Sequence, residues 1–204
     1  MSIWKKLFGR KQEDPYCIFD PNQHFVPRVT RSDYESKHGE DFFWLLWSAF
    51  FQIIEPDYPN EDLLSQRLSY GQKAIYFRGI LDGQVNNGGF IQLFYNDCGK
   101  YVPAIIKCFK YIGDDQMAEL TQRAFQLFLE DADKIEVARL KDLSSDQPFQ
   151  AFSMLYKNLS DLDACDNIYY EICGQVAERL ERYVRRHPDE FCVDEHGAPF
   201  APES

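Results

Sequence analysis

The chain has 204 residues, with 33 Asp and Glu against 22 Lys and Arg and a formal net charge of −11. Hydrophobic residues make up 45% and aromatic residues 16%, which excludes a disordered polyanion. The acidic balance argues against direct binding to nucleic acid or to an anionic membrane.

Residues 1–12 set Lys5, Lys6, Arg10 and Lys11 around Ile3, Trp4, Leu7 and Phe8, a basic amphipathic tip too short for stable membrane association. The tip lacks an apolar run of signal-peptide length, which points to a cytoplasmic protein. Residues 13–31, with Pro15, Pro21 and Pro27, read as an extended lead-in. A helical domain is expected over 32–187 and a loose tail over 188–204. Phe42 to Ile54 is apolar almost all round, a pattern that predicts a core helix, and it is too short to cross a bilayer. Trp44 and Trp47 read as packing residues, with an exposed aromatic patch for a partner as the alternative. Pro56 and Pro59 stop this helix.

Ser69 followed by Gln72 is a capping box, so a helix starts near Tyr70 and buries Tyr70, Ala74, Phe77 and Leu81. Asp82-Gly83 reads as its end, because Gly takes the left-handed cap conformation without steric cost. Asn86, Asn87, Gly88 and Gly89 then form a corner in which an asparagine caps the next helix and the glycines let two backbones approach. Phe90 to Asn96 is the short helix that follows. The corner is either plain architecture or a place where helix N–H groups meet an anion or polar substrate group.

Pro103 and Gly113 bracket a compact helix, and Asp114 or Asp115 caps the next, with Met117, Leu120, Ala124, Leu127 and Phe128 facing inward. Residues 130–147 read as an irregular or partly helical connection. Pro148 is expected to open a helix carrying Phe149, Phe152, Tyr156 and Leu159. Ser160 with Asp163 starts the last and longest helix, which ends at His187-Pro188 and offers a face for a homodimer. No sustained alternation of period two occurs, so the expected fold is all-α, a compact irregular bundle of about six to eight helices.

The run Gly71-Gln72-Lys73-Ala74, then Leu81-Asp82-Gly83, Val85-Asn86-Asn87-Gly88-Gly89-Phe90, Gln92, Phe94-Tyr95-Asn96 and Ile112-Gly113, resembles a bacterial domain family. That family includes an acidic, all-helical DNA-mimic protein. The likeness is strong over 69–113 and extends over 42–129. It implies a helical scaffold and, through that member, carboxylates that stand in for DNA phosphates on the binding surface of a transcription factor or nucleoid protein. It carries over no catalytic residue, and a shared scaffold does not by itself imply a shared surface.

The six cysteines include no C-x-x-C pair and the four histidines are scattered, so no metal site or cofactor is expected. Common hydrolase, metalloprotease and nucleotide-binding signatures are missing, and the expectation is a protein without enzymatic activity. Charge is uneven: residues 63–113 carry +4, whereas 13–62 and 114–171 carry −8 each. The candidate surface for a basic, DNA-binding partner is therefore Asp114, Asp115, Glu119, Glu130, Asp131, Asp133, Glu136, Asp142, Asp146, Asp161, Asp163 and Asp166. Two rivals stand beside it. One is a small-ligand or enzymatic site at Asn86, Asn87 and Asn96, served by Lys73, Arg78 or Lys100. The other is an immunity-like protein that neutralises a toxin.

Overall fold

The structure, a computed structural model, describes residues 13–146 and 149–203. The basic tip and the helix start expected at Pro148 lie outside the described residues. Among the described residues nine α-helices follow in order: α1 Arg31–Ser36, α2 Gly39–Phe51, α3 Glu61–Leu64, α4 Tyr70–Tyr95, α5 Val102–Tyr111, α6 Asp115–Leu143, α7 Gln150–Asn158, α8 Ser160–Arg186 and α9 Pro188–Phe191. Among the described residues only isolated bridges, Arg28 with Val193 and Val193 with Pro199, depart from this all-α architecture. No helix described is long and apolar enough to cross a membrane.

The middle of the bundle is α4, in which every residue from Gly71 to Gly79 is buried, and α2, α5, α6 and α8 surround it. Its start is the expected capping box: Ser69 Oγ accepts from the Gln72 N–H at 3.1 Å, and Gln72 Oε1 accepts from the Ser69 N–H at 2.9 Å. The helix α2, expected at the centre, is one-sided instead. It buries Phe42, Phe43, Leu46, Ala49 and Phe50, and leaves Trp44 44% exposed. Trp47 seats α2 on α4, where its Nε1 donates to the Tyr76 carbonyl at 3.1 Å. A Cβ at Gly79 would stand inside that indole, so the crossing requires glycine.

Two expected breaks are differently placed. Asp82-Gly83 does not end the helix, because the Asp82 carboxylate forms an ion pair with Arg78, 3.1 Å away one turn back, and accepts from the Tyr169 hydroxyl of α8. Those partners hold the turn helical, and Gly83 is an exposed interior residue with open space around it. The connection expected over 130–147 is helical to Leu143. Ala132, Ile135 and Ala138 stay buried at intervals of three, so small residues continue the stripe that charged neighbours obscure in the sequence.

The tail is also ordered by packing. Phe191 and Cys192 are fully buried, Phe200 stacks on Tyr34 with ring centroids 3.8 Å apart, and Val193 exchanges 3.0 Å backbone bonds with Pro27 and Val29. The lead-in is tied down in the same way. Buried Lys73 donates its ammonium to the carbonyls of Tyr16, at 2.8 Å, and Ile18. Glu61 accepts from the hydroxyls of Tyr76, at 2.6 Å, Tyr101 and Tyr16, so its buried carboxylate is hydrogen-bonded throughout.

Candidate functional site

Gly88 and Gly89 together make the corner within α4, and only Gly89 of the two is left-handed. The Gly89 φ of +67° leaves no place for a side chain, and any Cβ there would collide with the Asp166 carboxylate. The turn that follows lacks an internal partner for the Phe90 N–H, and Asp166 Oδ1, on α8, accepts it at 2.7 Å. Tyr156 donates to the Gly88 carbonyl at 2.6 Å and Tyr170 to the Val85 carbonyl at 2.9 Å. The cap expected from an asparagine is thus supplied by an aspartate 76 residues away. Asn87 instead donates to Gln92 at 3.0 Å, and Asn96 to Gln84 at 2.8 Å. Burial pushes the Asp166 carboxyl up to about 6, with the Phe90 bond opposing the rise and Asp163 adding to it.

The twelve candidate carboxylates fall into three groups. Asp114, Asp142 and Asp166 are buried and committed to the fold. Asp114 caps α6 through the Met117 N–H at 3.2 Å and pairs with Arg179 at 2.8 Å. Asp142 accepts from the N–H groups of Ala151 and Phe152 and from the Tyr95 hydroxyl, all at 2.9 Å, and these bonds hold its carboxyl below the usual range. None of these three presents a free carboxylate to a partner. Asp131 and Glu136 are half-buried and paired along the helix with Lys134 and Arg139, each at 2.6 Å. The remaining seven are exposed: Asp115, Glu119, Glu130 and Asp133 on α6, Asp146 in the turn after it, and Asp161 and Asp163 in the first turn of α8.

The α6 surface also carries apolar residues that the sequence reading placed nowhere. Leu129, Val137, Leu140 and Leu143 are 45%, 49%, 55% and 78% exposed, and Phe149 and Met154 of the next segment are 63% and 48% exposed. On a helix of about 100° per residue, Leu129, Asp133 and Leu140 project within about 40° of one another. The signal was legible in one respect. These positions fall off the stripe of Met117, Leu120, Ala124, Phe128, Ala132 and Ile135 that α6 buries.

The residues of the rival site do not converge. Lys73 is held by carbonyls of the lead-in, and Lys100 lies over the rings of Tyr101 and Tyr16 at 4.8 and 5.9 Å. Arg78 and Asn86 do share a cleft, apart from Asn87 and Asn96. Among the described residues no group of three His, Cys, Asp or Glu side chains is placed to hold a metal ion.

The family model described as DMP19-like protein matches residues 66–187, more than half of the chain. No curated protein matches the chain.

Proposed function

We propose, from the premise that this chain belongs to the DMP19-like protein family, that it is an acidic interaction domain that binds a basic protein. The finer form of the reading is DNA mimicry, in which the bound partner is a DNA-binding protein and the exposed carboxylates occupy its DNA-binding surface. The observation that carries the reading is the outer face of α6, where Asp115, Glu119, Glu130 and Asp133 are exposed and without the salt bridges that neutralise Asp131 and Glu136.

The face spans about 27 Å from Asp115 to Asp133 at 1.5 Å rise per residue. Four carboxylates over that length, with the exposed Arg123 among them, are sparser than the charge of duplex DNA, which carries one per about 1.7 Å of axis. Carboxylates of α6 therefore act with Asp146, Asp161 and Asp163, and the exposed leucines beside them add apolar contact that phosphates lack. Charge steers a basic partner in, and Leu129, Val137 and Leu140 hold an apolar strip on it. We assign the domain no catalytic step and no cofactor.

The test is competition with duplex DNA for a basic DNA-binding protein at low salt. The domain is expected to displace DNA, and its Asp115→Lys, Glu119→Lys, Glu130→Lys, Asp133→Lys variant to lose that ability while keeping its helical signal. Equal competition by the variant would overturn the assignment to this face.

A further inference from the structure

A cleft of about 340 Å³ opens where α2, α4 and α8 meet, lined by Glu40, Trp44, Arg78, Asp82, Gly83, Asn86, Cys173 and Gly174. Nothing in the proposed function uses it. The cleft has a chemical demand of its own. Arg78 is 2% exposed, packed at 4.1 Å over the Phe43 ring, and its Nη1 has no hydrogen-bond partner. Its Nη2 donates to Glu40 at 2.6 Å, and its Nε lies 3.1 Å from Asp82. A buried guanidinium hydrogen left without an acceptor is unfavourable, so an acceptor brought by a ligand is favoured.

The other walls narrow what that ligand is. Glu40 and Asp82 against Arg78 leave the lining with a net negative charge, which disfavours an anion. Arg78 itself disfavours a cation. Asn86 is exposed and its amide takes no hydrogen bond among the described residues, so it offers both a donor and an acceptor. Trp44, half-exposed at the mouth, offers an indole for stacking. Gly83 and Gly174 have nothing within 4 Å of where a Cβ would stand, so side chains do not fill the space between the helices.

We propose that this cleft binds an uncharged planar heterocycle of the nucleobase class, with guanine the best match. Its O6 suits the free Nη1 of Arg78, and the ring N–H and amino group next to that oxygen suit a carboxylate such as Glu40, which stands beside the guanidinium. The heterocycle stacks on Trp44. Such a base comes either as a free nucleoside or nucleotide, or from a single-stranded nucleic acid. The net negative lining favours the nucleoside over any phosphate-bearing form.

The test titrates the full chain with guanosine, guanosine monophosphate, cytidine and a short guanine-containing DNA single strand, read by saturation-transfer NMR. Guanosine is expected to bind saturably at millimolar concentration or below, and more tightly than its monophosphate, cytidine or the oligonucleotide. Trp44→Ala weakens guanosine binding about tenfold, as expected for a lost stacking platform. Gly174→Leu abolishes it by filling the cleft, with the thermal transition retained. Should Gly174→Leu unfold the chain, the exposed Trp44 variant decides. Absence of saturable guanosine binding, tighter binding of the monophosphate or the oligonucleotide, or binding unaltered by Trp44→Ala each overturns the proposal. Competition with DNA for a basic protein is unaffected by Trp44→Ala, so the two readings fail independently.

Discussion

Asp166 of α8 accepts the backbone N–H of Phe90 at 2.7 Å, across the point where Gly89 turns α4. One carboxylate therefore caps the second half of α4 and leaves no room for a side chain at the residue before it. Its position fixes a sign for pH dependence. Burial raises the carboxyl from its ordinary 3.8 to about 6, so the stability it contributes is complete below pH 3.8 and is lost as pH rises through about 6. Asp166→Asn keeps an oxygen for the Phe90 N–H and has no charge to ionise. The stability of wild type relative to Asp166→Asn should fall between pH 4 and pH 6, as measured by urea denaturation across that range. A difference that does not change with pH would show that the carboxyl is not desolvated.

Two glycines of α4 should respond to alanine in opposite directions. Gly83 is exposed inside a continuous helix with open space around it, so Gly83→Ala should stabilise by about 0.5–1 kcal/mol. Gly89 is left-handed and pressed against Asp166, so Gly89→Ala should destabilise by about 2 kcal/mol or more. Thermal unfolding of the two variants checks both. Loss of stability in Gly83→Ala would restore a helix end at that position.

Lys73 sets a dependence at the alkaline side. Burial lowers its ammonium from the ordinary 10.5 to about 8, so between these values the unfolded chain holds the extra proton. The stability of wild type relative to Lys73→Met should therefore rise with pH from 8 towards 10, the comparison cancelling the cysteines, whose burial-raised thiols ionise first in the unfolded chain and oppose the rise above pH 9. Total stability falls above pH 9 as the cysteines ionise in the unfolded chain, and more steeply above pH 10, because Tyr16, Tyr76, Tyr101 and Tyr169 are also raised by burial. Denaturant midpoints of both proteins between pH 7.5 and 10 give the comparison.

The carboxylates on and near α6 should separate into two phenotypes. Asp142→Asn should lower the thermal midpoint, because it weakens the acceptor for Ala151, Phe152 and Tyr95, and leave the charge of the outer face unchanged. Asp133→Asn should leave the stability within about 0.5 kcal/mol of wild type and reduce affinity for a basic partner, more at low salt than at high salt. Paired thermal melts and binding titrations at two salt concentrations distinguish these outcomes. Identical behaviour of the two variants would contradict the division between buried and exposed carboxylates.

Local signals in the chain were sufficient wherever the hydrogen bonds they imply are short in sequence. The Ser69–Gln72 capping box, the Asp114 cap, and the Pro103 and Gly113 bounds are all met in the structure, because each is satisfied within one turn. The all-α architecture follows from the same periodicity. The stretch of α6 beyond Glu130 is loosely patterned because alanines carry much of its buried stripe and weigh little in a hydrophobic pattern.

What only the tertiary structure decided is which polar groups remain available. Asp166 is taken by Phe90, Asp142 by Tyr95, and Asp82 by Tyr169, over 76, 47 and 87 residues of sequence. Asp133, on an intervening turn, stays in water. Nothing in an aspartate's neighbours along the chain separates those fates, since burial is set by helices that meet only when the bundle closes. The sequence determined the helices and the sign of their charge, and the packing of α8 against α4, with α7 on the end of α6, selected the carboxylates left to meet a partner.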